Sequence, residues 1–177
     1  MISPISNSIN IFQIYIHSEI IPFDGKNIPF EDQHFDFILC TEVLEHVEDF
    51  PQIVREMHRV LKNGGQGVLT VPWSARFHYI PYDFFRYTPT ALDHIFKDFK
   101  EVQIKARGSD LTSIVAKIVV LFARVRPSLQ IWNLLLSPIW VLMIPIVTSL
   151  VGIGHLSICL GLGSDEDPLG YTVTFSK

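Results

Sequence analysis

Residues 24–65 read DGKNIPFEDQHFDFILCTEVLEHVEDFPQIVREMHRVLKNGG, and this stretch decides the fold class. Residues 35–40 (FDFILC) form a strand-length run dominated by apolar side chains, suited to a central strand buried on both faces. Residues 50–61 then place Ile53, Val54, Met57, Val60 and Leu61 at helical spacing. Asp49 stands where it caps that helix, Pro51 suits its first turn, and Asn63-Gly64-Gly65 is expected to end it. Residues 67–71 (GVLTV) supply the next strand. A strand, a helix and a second strand in that order predict an α/β domain.

Working outward, residues 18–22 read as a short strand ending at the Asp24-Gly25 turn. Downstream lies an aromatic segment, WSARFHYIPYDFFRYTP (73–89), and then a helix over about 89–96. Residues 101–106 (EVQIKA) and 170–176 (GYTVTFS) alternate as strands do. Between these two lies a different composition, because no Asp, Glu, Lys or Arg occurs from Pro127 to Ser164. Three parts are therefore expected: an α/β core over 1–108, an apolar helical insert over 109–164, and a final strand over 165–177 returning to the sheet.

The 177 residues suffice for one domain with its own core, and the net charge of −4 offers no basic stripe for phosphates, so no nucleic-acid partner is expected. Cys40 and Cys159 are the two cysteines; they fit no metal or redox spacing and read as small buried hydrophobes. The first residues carry no basic group ahead of their apolar stretch, so they do not read as a signal peptide.

Three features together resemble class I S-adenosylmethionine-dependent methyltransferases of the type 11 kind: Asp24-Gly25 followed by Ile28-Pro29-Phe30, the strand FDFILC, and RVLKNGGQGVLTVP leading into the next strand. The resemblance implies a Rossmann-like sheet and S-adenosyl-L-methionine as cofactor. It implies that Asp24 and Gly25 meet the adenine, and that Cys40, Thr41 and Glu42 run past the methionine end. His46 becomes a candidate general base just beyond the cofactor strand. The family's glycine-rich loop and the acid after its second strand are not found; Gly152, Gly154, Gly161 and Gly163 lie in the apolar zone. The sheet is therefore expected to be incomplete, the chain being an N-terminally truncated version of a longer enzyme. The alternative is a catalytically inactive remnant serving as a membrane-associated interaction module.

PYDFFRYTP resembles a pattern of methyltransferases in bacterial glycan and cell-surface pathways. That implies a small-molecule, lipid-linked or glycan-type acceptor, with Trp73, His78, Tyr82 and Arg86 as candidate acceptor contacts and Asp83 as a partner for Arg86. Glu42, Glu45 and His46 spell E-x-x-E-H, a string some methyltransferases use for a divalent metal; with the ligand set incomplete, no metal is assigned.

If EVQIKA and GYTVTFS are the family's paired last strands, the apolar insert leaves and returns on one side of any bilayer. A single span is then excluded, and a re-entrant hairpin or interfacial helices are expected. Arg124 and Arg126 would snorkel at the headgroups, while Pro138 and Pro145, with Trp132 and Trp140, suit a broken, partly inserted segment. The expected location is cytoplasmic, peripheral or monotopic at the inner face of the membrane.

Overall fold

A computed structural model describes residues 21–125, 135 and 137–177. They fall into two compact units: the described residues up to Lys105 with Gly170–Lys177, and those from Ala106 to Leu169.

The first unit is built on a four-stranded sheet. Its elements are β1 (Phe35–Thr41), α1 (Phe50–Val60), β2 (Leu61–Pro72), α2 (Pro89–Ile95), β3 (Lys100–Arg107) and β4 (Gly170–Ser176), with strand order β1-β2-β4-β3. β1 and β2 run parallel, as a strand–helix–strand unit requires, and β4 pairs antiparallel with β2. β3 and β4, the two strands expected to pair, are neighbours although residues 108–169 separate them in the chain. The described sheet is the expected Rossmann-like α/β arrangement, with four strands.

The core lies where α1 meets the sheet. Ile53, Met57 and Val60 of α1 are fully buried, as are Ile38, Cys40, Leu69, Val71 and Val173 from the strands. Each large aliphatic side chain so placed contributes about 1.5–3 kcal/mol of transfer free energy. Asp49 caps α1 by accepting the Gln52 N–H at 3.3 Å, and Pro51 occupies the first turn.

Three expectations about these elements need correction. Among the described residues β1 pairs only with β2, and Phe37 and Leu39 are about half exposed, so burial on both faces is not seen there. An apolar run fixes strand character but not the number of neighbours. The glycine pair does not end α1, because Leu61 is already extended. Gly64 (φ +78°) and Gly65 lie inside β2, where Gly64 N donates to Lys177 O (2.8 Å) and Lys177 N donates to Gly65 O (3.0 Å). Of the proposed 18–22 strand, residues 18–20 lie outside the described residues, and Ile21 and Pro22 have no regular structure.

The second unit holds α3 (Asp110–Arg124) and α4 (Ser137–Cys159). At the start of α3 the Ser109 N–H donates to Thr112 Oγ1, and the Thr112 hydroxyl donates to the Ser109 carbonyl, both at 2.7 Å. Asp110 N donates to Ser164 O, and Ser164 N donates to Asp110 Oδ1, both at 3.0 Å. Trp140 of α4 stacks on Phe122 of α3 at 4.7 Å and donates from Nε1 to the Phe122 carbonyl at 3.2 Å. The expected break at Pro145 does not occur, since α4 runs through it unbroken. Ser149 Oγ bonds back to the Pro145 carbonyl within the helix. Cys159, read as buried, ends α4 exposed. Arg126 and Trp132 lie outside the described residues.

Candidate functional site

The Asp24-Gly25 loop is a closed turn whose acid caps its own chain. Asp24 Oδ1 accepts the Lys26 N–H at 2.8 Å and the Asn27 N–H at 2.9 Å. Those donors, Asn27 first, hold the Asp24 carboxyl below the usual carboxylate range. Gly25 adopts φ +75°, and nothing lies within 4 Å of where a side chain would project. The turn thus presents an exposed anion beside an open glycine.

A partly buried ion pair on α1, Glu56 with Arg59, anchors this loop. Glu56 Oε2 accepts the Ile28 N–H at 2.9 Å. Arg59 donates to both Glu56 oxygens (2.8 and 2.7 Å), to the Ile28 and Phe30 carbonyls (2.9 and 2.8 Å) and to Asp32 (2.8 Å). This pair went unseen in the sequence; its only local signal is the Glu56/Arg59 spacing of one helical turn.

The second part of the site stands at the carboxyl end of β1, where open α/β sheets present ligands. Cys40 faces inward and is fully buried, with burial first among the causes that push its thiol up, so only its backbone faces the site. Thr41 and Glu42 are exposed, and Glu42 holds a left-handed φ of +52° while its N–H donates to Thr70 O at 2.9 Å. Such a conformation in a non-glycine residue is costly and turns the chain sharply out of the strand. A one-turn 3-10 helix, Leu44–His46, follows.

That turn sends Glu45 inward and His46 sideways. Glu45 is fully buried, and neither carboxylate oxygen has a hydrogen-bond partner. Burial pushes its carboxyl up. His46 Nε2 stands 3.6 Å from Glu45 Oε1, while Nδ1 is 2.6 Å from the Tyr82 carbonyl. A carbonyl only accepts, so Nδ1 carries the proton and Nε2 the lone pair of the neutral ring.

The aromatic segment closes over this turn. The Phe84 and Phe85 N–H groups donate to the Glu45 carbonyl at 2.9 and 3.3 Å, and Tyr87 Oη donates to the Leu44 carbonyl at 2.9 Å. His78 lies edge-on to His46, with ring centroids 4.9 Å apart. Asp83, its side chain fully buried, takes a two-pronged bond from Arg86 at 2.6 and 2.9 Å and accepts the His78 N–H at 2.9 Å. Those guanidinium bonds hold its carboxyl down at about 2. Arg86 also donates to the Phe85 and Arg76 carbonyls, so it braces the segment.

The structure thus brings His46, His78 and Tyr82 together, with Glu45 beneath them. It places Arg86 behind them on Asp83, and sets the Trp73 ring edge-on to Tyr171 of β4 at 6.2 Å. A separate cleft of about 750 Å³, lined by Phe50, Val54, His58, His94 and Phe99 among others, includes none of these residues.

Residues 6–69 match the methyltransferase domain family. The chain is similar to an uncharacterized protein of Methanocaldococcus jannaschii, with 38% identity over 53 residues that make up 30% of this chain and 26% of that protein. It is similar to the demethylmenaquinone methyltransferase of Listeria welshimeri, with 44% identity over 48 residues, 27% of this chain and 20% of the enzyme. The chain thus spans about a quarter or less of the length of these curated relatives. Among solved structures, a phosphoethanolamine N-methyltransferase of Haemonchus contortus in complex with S-adenosyl-L-methionine aligns at TM-score 0.49 and 13% identity, over 87% of this chain and 36% of that one. A methyltransferase of Thermotoga maritima, described as a possible histamine N-methyltransferase, aligns at TM-score 0.48 and 13% identity, over 86% and 61%. The match over residues 6–69 supports the resemblance to class I S-adenosylmethionine-dependent methyltransferases.

Proposed function

We propose that this chain takes part in methyl transfer from S-adenosylmethionine to a nucleophile on a small-molecule, lipid-linked or glycan-type acceptor. The observation that carries the reading is the pairing of an anchored Asp24-Gly25 turn with a β1 end followed by the turn that sets His46 against the Tyr82 carbonyl. The turn fits an adenine, since it offers a fixed exposed carboxylate and space beside Gly25 for a flat ring. When bound, the cofactor supplies an electrophilic methyl group on a sulfonium. The protein's part is to align the acceptor and remove its proton. His46 suits the second task, because the Tyr82 carbonyl holds the tautomer whose Nε2 accepts a proton. Thr41 and Glu42, exposed at the end of β1, are assigned to the methionine end of the cofactor, and His78 and Tyr82 offer ring faces and polar edges to a sugar or other polar acceptor, with Trp73 a further candidate contact.

Calorimetric titration of S-adenosylmethionine into the full chain in mild detergent tests the cofactor half. Micromolar binding is expected, weakened at least tenfold by Asp24→Ala. Absence of binding to the parent chain would instead favour the inactive interaction module.

The same reading includes attachment to the cytoplasmic face of a membrane through the second unit. α4 is long and apolar enough to cross a membrane by length and composition, and Ile139, Leu142, Ile153 and Leu156 are more than half exposed. An interfacial or re-entrant placement agrees with a chain that leaves the sheet at β3 and returns to it at β4. The chain is expected to float with liposomes in a density gradient. Introducing Asp at Leu142 and Ile153 should return it to the soluble fraction, and flotation unchanged by both charges would refute the role of α4.

A further inference from the structure

Glu45 poses a problem that methyl transfer does not solve. A carboxylate with no accessible surface and no hydrogen-bond partner on either oxygen is among the costliest groups a core can hold. Beside it are two imidazoles, and one ligand atom from each of Glu45, His46 and His78 lies within 4.8 Å of the others.

Both rings are oriented from behind. His46 Nδ1 donates to the Tyr82 carbonyl at 2.6 Å. His78 Nδ1 faces two acceptors, the Arg76 carbonyl at 3.0 Å and Asp83 Oδ2 at 3.3 Å. Each neutral ring is therefore fixed with its proton on Nδ1 and its lone pair on Nε2. A carbonyl or carboxylate behind Nδ1 is the arrangement that makes an imidazole a directed, more basic ligand. Asp83 is itself fixed by the Arg86 fork, so the support for His78 extends two residues deep.

The geometry points to a divalent transition-metal site formed by Glu45, His46 and His78. Two imidazoles and one carboxylate suit Zn²⁺, Mn²⁺, Fe²⁺ or Co²⁺ better than Mg²⁺ or Ca²⁺, which favour all-oxygen shells. Three protein ligands leave further positions for water or an acceptor oxygen. The ligand atoms must draw in to about 3.4 Å, the spacing of a tetrahedral set with bonds of about 2.1 Å. The two rings sit on a single 3-10 turn and on a loop, where such an adjustment is local. The string E-x-x-E-H named only part of this set; the third ligand, His78, comes from 32 residues beyond His46 and is supplied by the loop that closes over it. The inference does not require that the chain transfer methyl groups; with a metal bound, His46 Nε2 is a ligand and no longer the general base, so the two readings give that atom alternative roles.

Titration with Co²⁺ tests it on the full chain in detergent, stripped with chelator beforehand and followed by visible absorption and calorimetry. One equivalent is expected to bind with the intense absorption of a low-coordinate nitrogen–oxygen site, and Zn²⁺ should displace it. His78→Ala lies on a partly exposed loop and should weaken binding at least tenfold with the thermal melt retained. Glu45→Gln should do the same, and Asp83→Asn should weaken binding about tenfold or more by loosening His78. His94→Ala, a control for surface histidines, should change nothing. Weak, octahedral-type absorption in the parent chain, or equal affinity in folded His78→Ala, would overturn the site. Because S-adenosylmethionine binding is titrated separately, loss of one reading leaves the other measurable.

Discussion

Replacing Arg59 by alanine is expected to lower the stability of the sheet-bearing unit by about 3–4 kcal/mol and to detach the Asp24 turn. The guanidinium makes five hydrogen bonds, and they differ in worth. The bond to Asp32 joins a carboxylate with 73% of its side chain exposed and contributes little. The fork on Glu56, only 10% exposed, neutralises a charge that would otherwise be left almost buried. The bonds to the Ile28 and Phe30 carbonyls pin the loop that carries Asp24 and Gly25. Lysine should not rescue the loss, because one ammonium cannot reach a carboxylate fork and two carbonyls together. Urea unfolding reads the stability, and hydrogen exchange of the Ile28 amide, bonded to Glu56, reads the loop. Exchange unchanged in Arg59→Ala would show that Glu56 alone anchors the turn.

The same pair sets a pH dependence with a definite sign. Arg59, first among the causes, holds the Glu56 carboxyl below its ordinary 4.5. A carboxyl depressed on folding adds stability that is complete above its ordinary value and is lost as pH falls through the lower folded one. The parent chain should therefore lose stability below about pH 4.5, and Arg59→Ala should lose less of it there.

What could be read from the sequence was local. Asp49 and Pro51 mark the start of α1 because a cap and a first-turn proline act within four residues. EVQIKA and GYTVTFS read as strands because alternation is a property of the segment itself. Their adjacency followed from resemblance to a known sheet order. The burial of β1 could not be read, because FDFILC is apolar whether it has one neighbour or two. The clamp from Arg59 to Ile28 crosses 31 residues, and no spacing rule links a helix residue to carbonyls of a preceding loop. The E-x-x-E-H string did not say which carboxylate would turn inward. That depends on the left-handed Glu42 and the 3-10 turn after it, which bury Glu45 and leave Glu42 exposed. The pairing of Arg86 with Asp83 was legible, but not that Asp83 would be buried beneath it and leave Arg86 bracing the segment.

Asp83→Asn should have the second large effect, a loss of about 2–3 kcal/mol near neutral pH. The depression of its carboxyl from the usual 3.8 to about 2 corresponds to about 2 kcal/mol of preference for the charged form in the folded chain. Asparagine keeps the shape and one acceptor but meets the Arg86 fork with an amide N–H₂, so one of the two guanidinium bonds becomes a donor–donor contact. The sign again follows from a depressed carboxyl: the contribution is complete above about pH 4 and fades as pH falls towards 2. The stability gap between parent and Asp83→Asn should therefore be widest near pH 7 and shrink towards pH 3, as read by urea unfolding at both values. A gap independent of pH would mean that packing, not charge, makes Asp83 matter. The consequence for the site follows from what the loop holds. Asp83 fixes His78 through its N–H, and the adjoining Tyr82 carbonyl fixes His46, so one carboxylate sets the direction of both imidazoles. In Asp83→Asn the ring resonances of His46 and His78 should shift together in the proton NMR spectrum while those of His34 and His58, on other parts of the unit, stay in place.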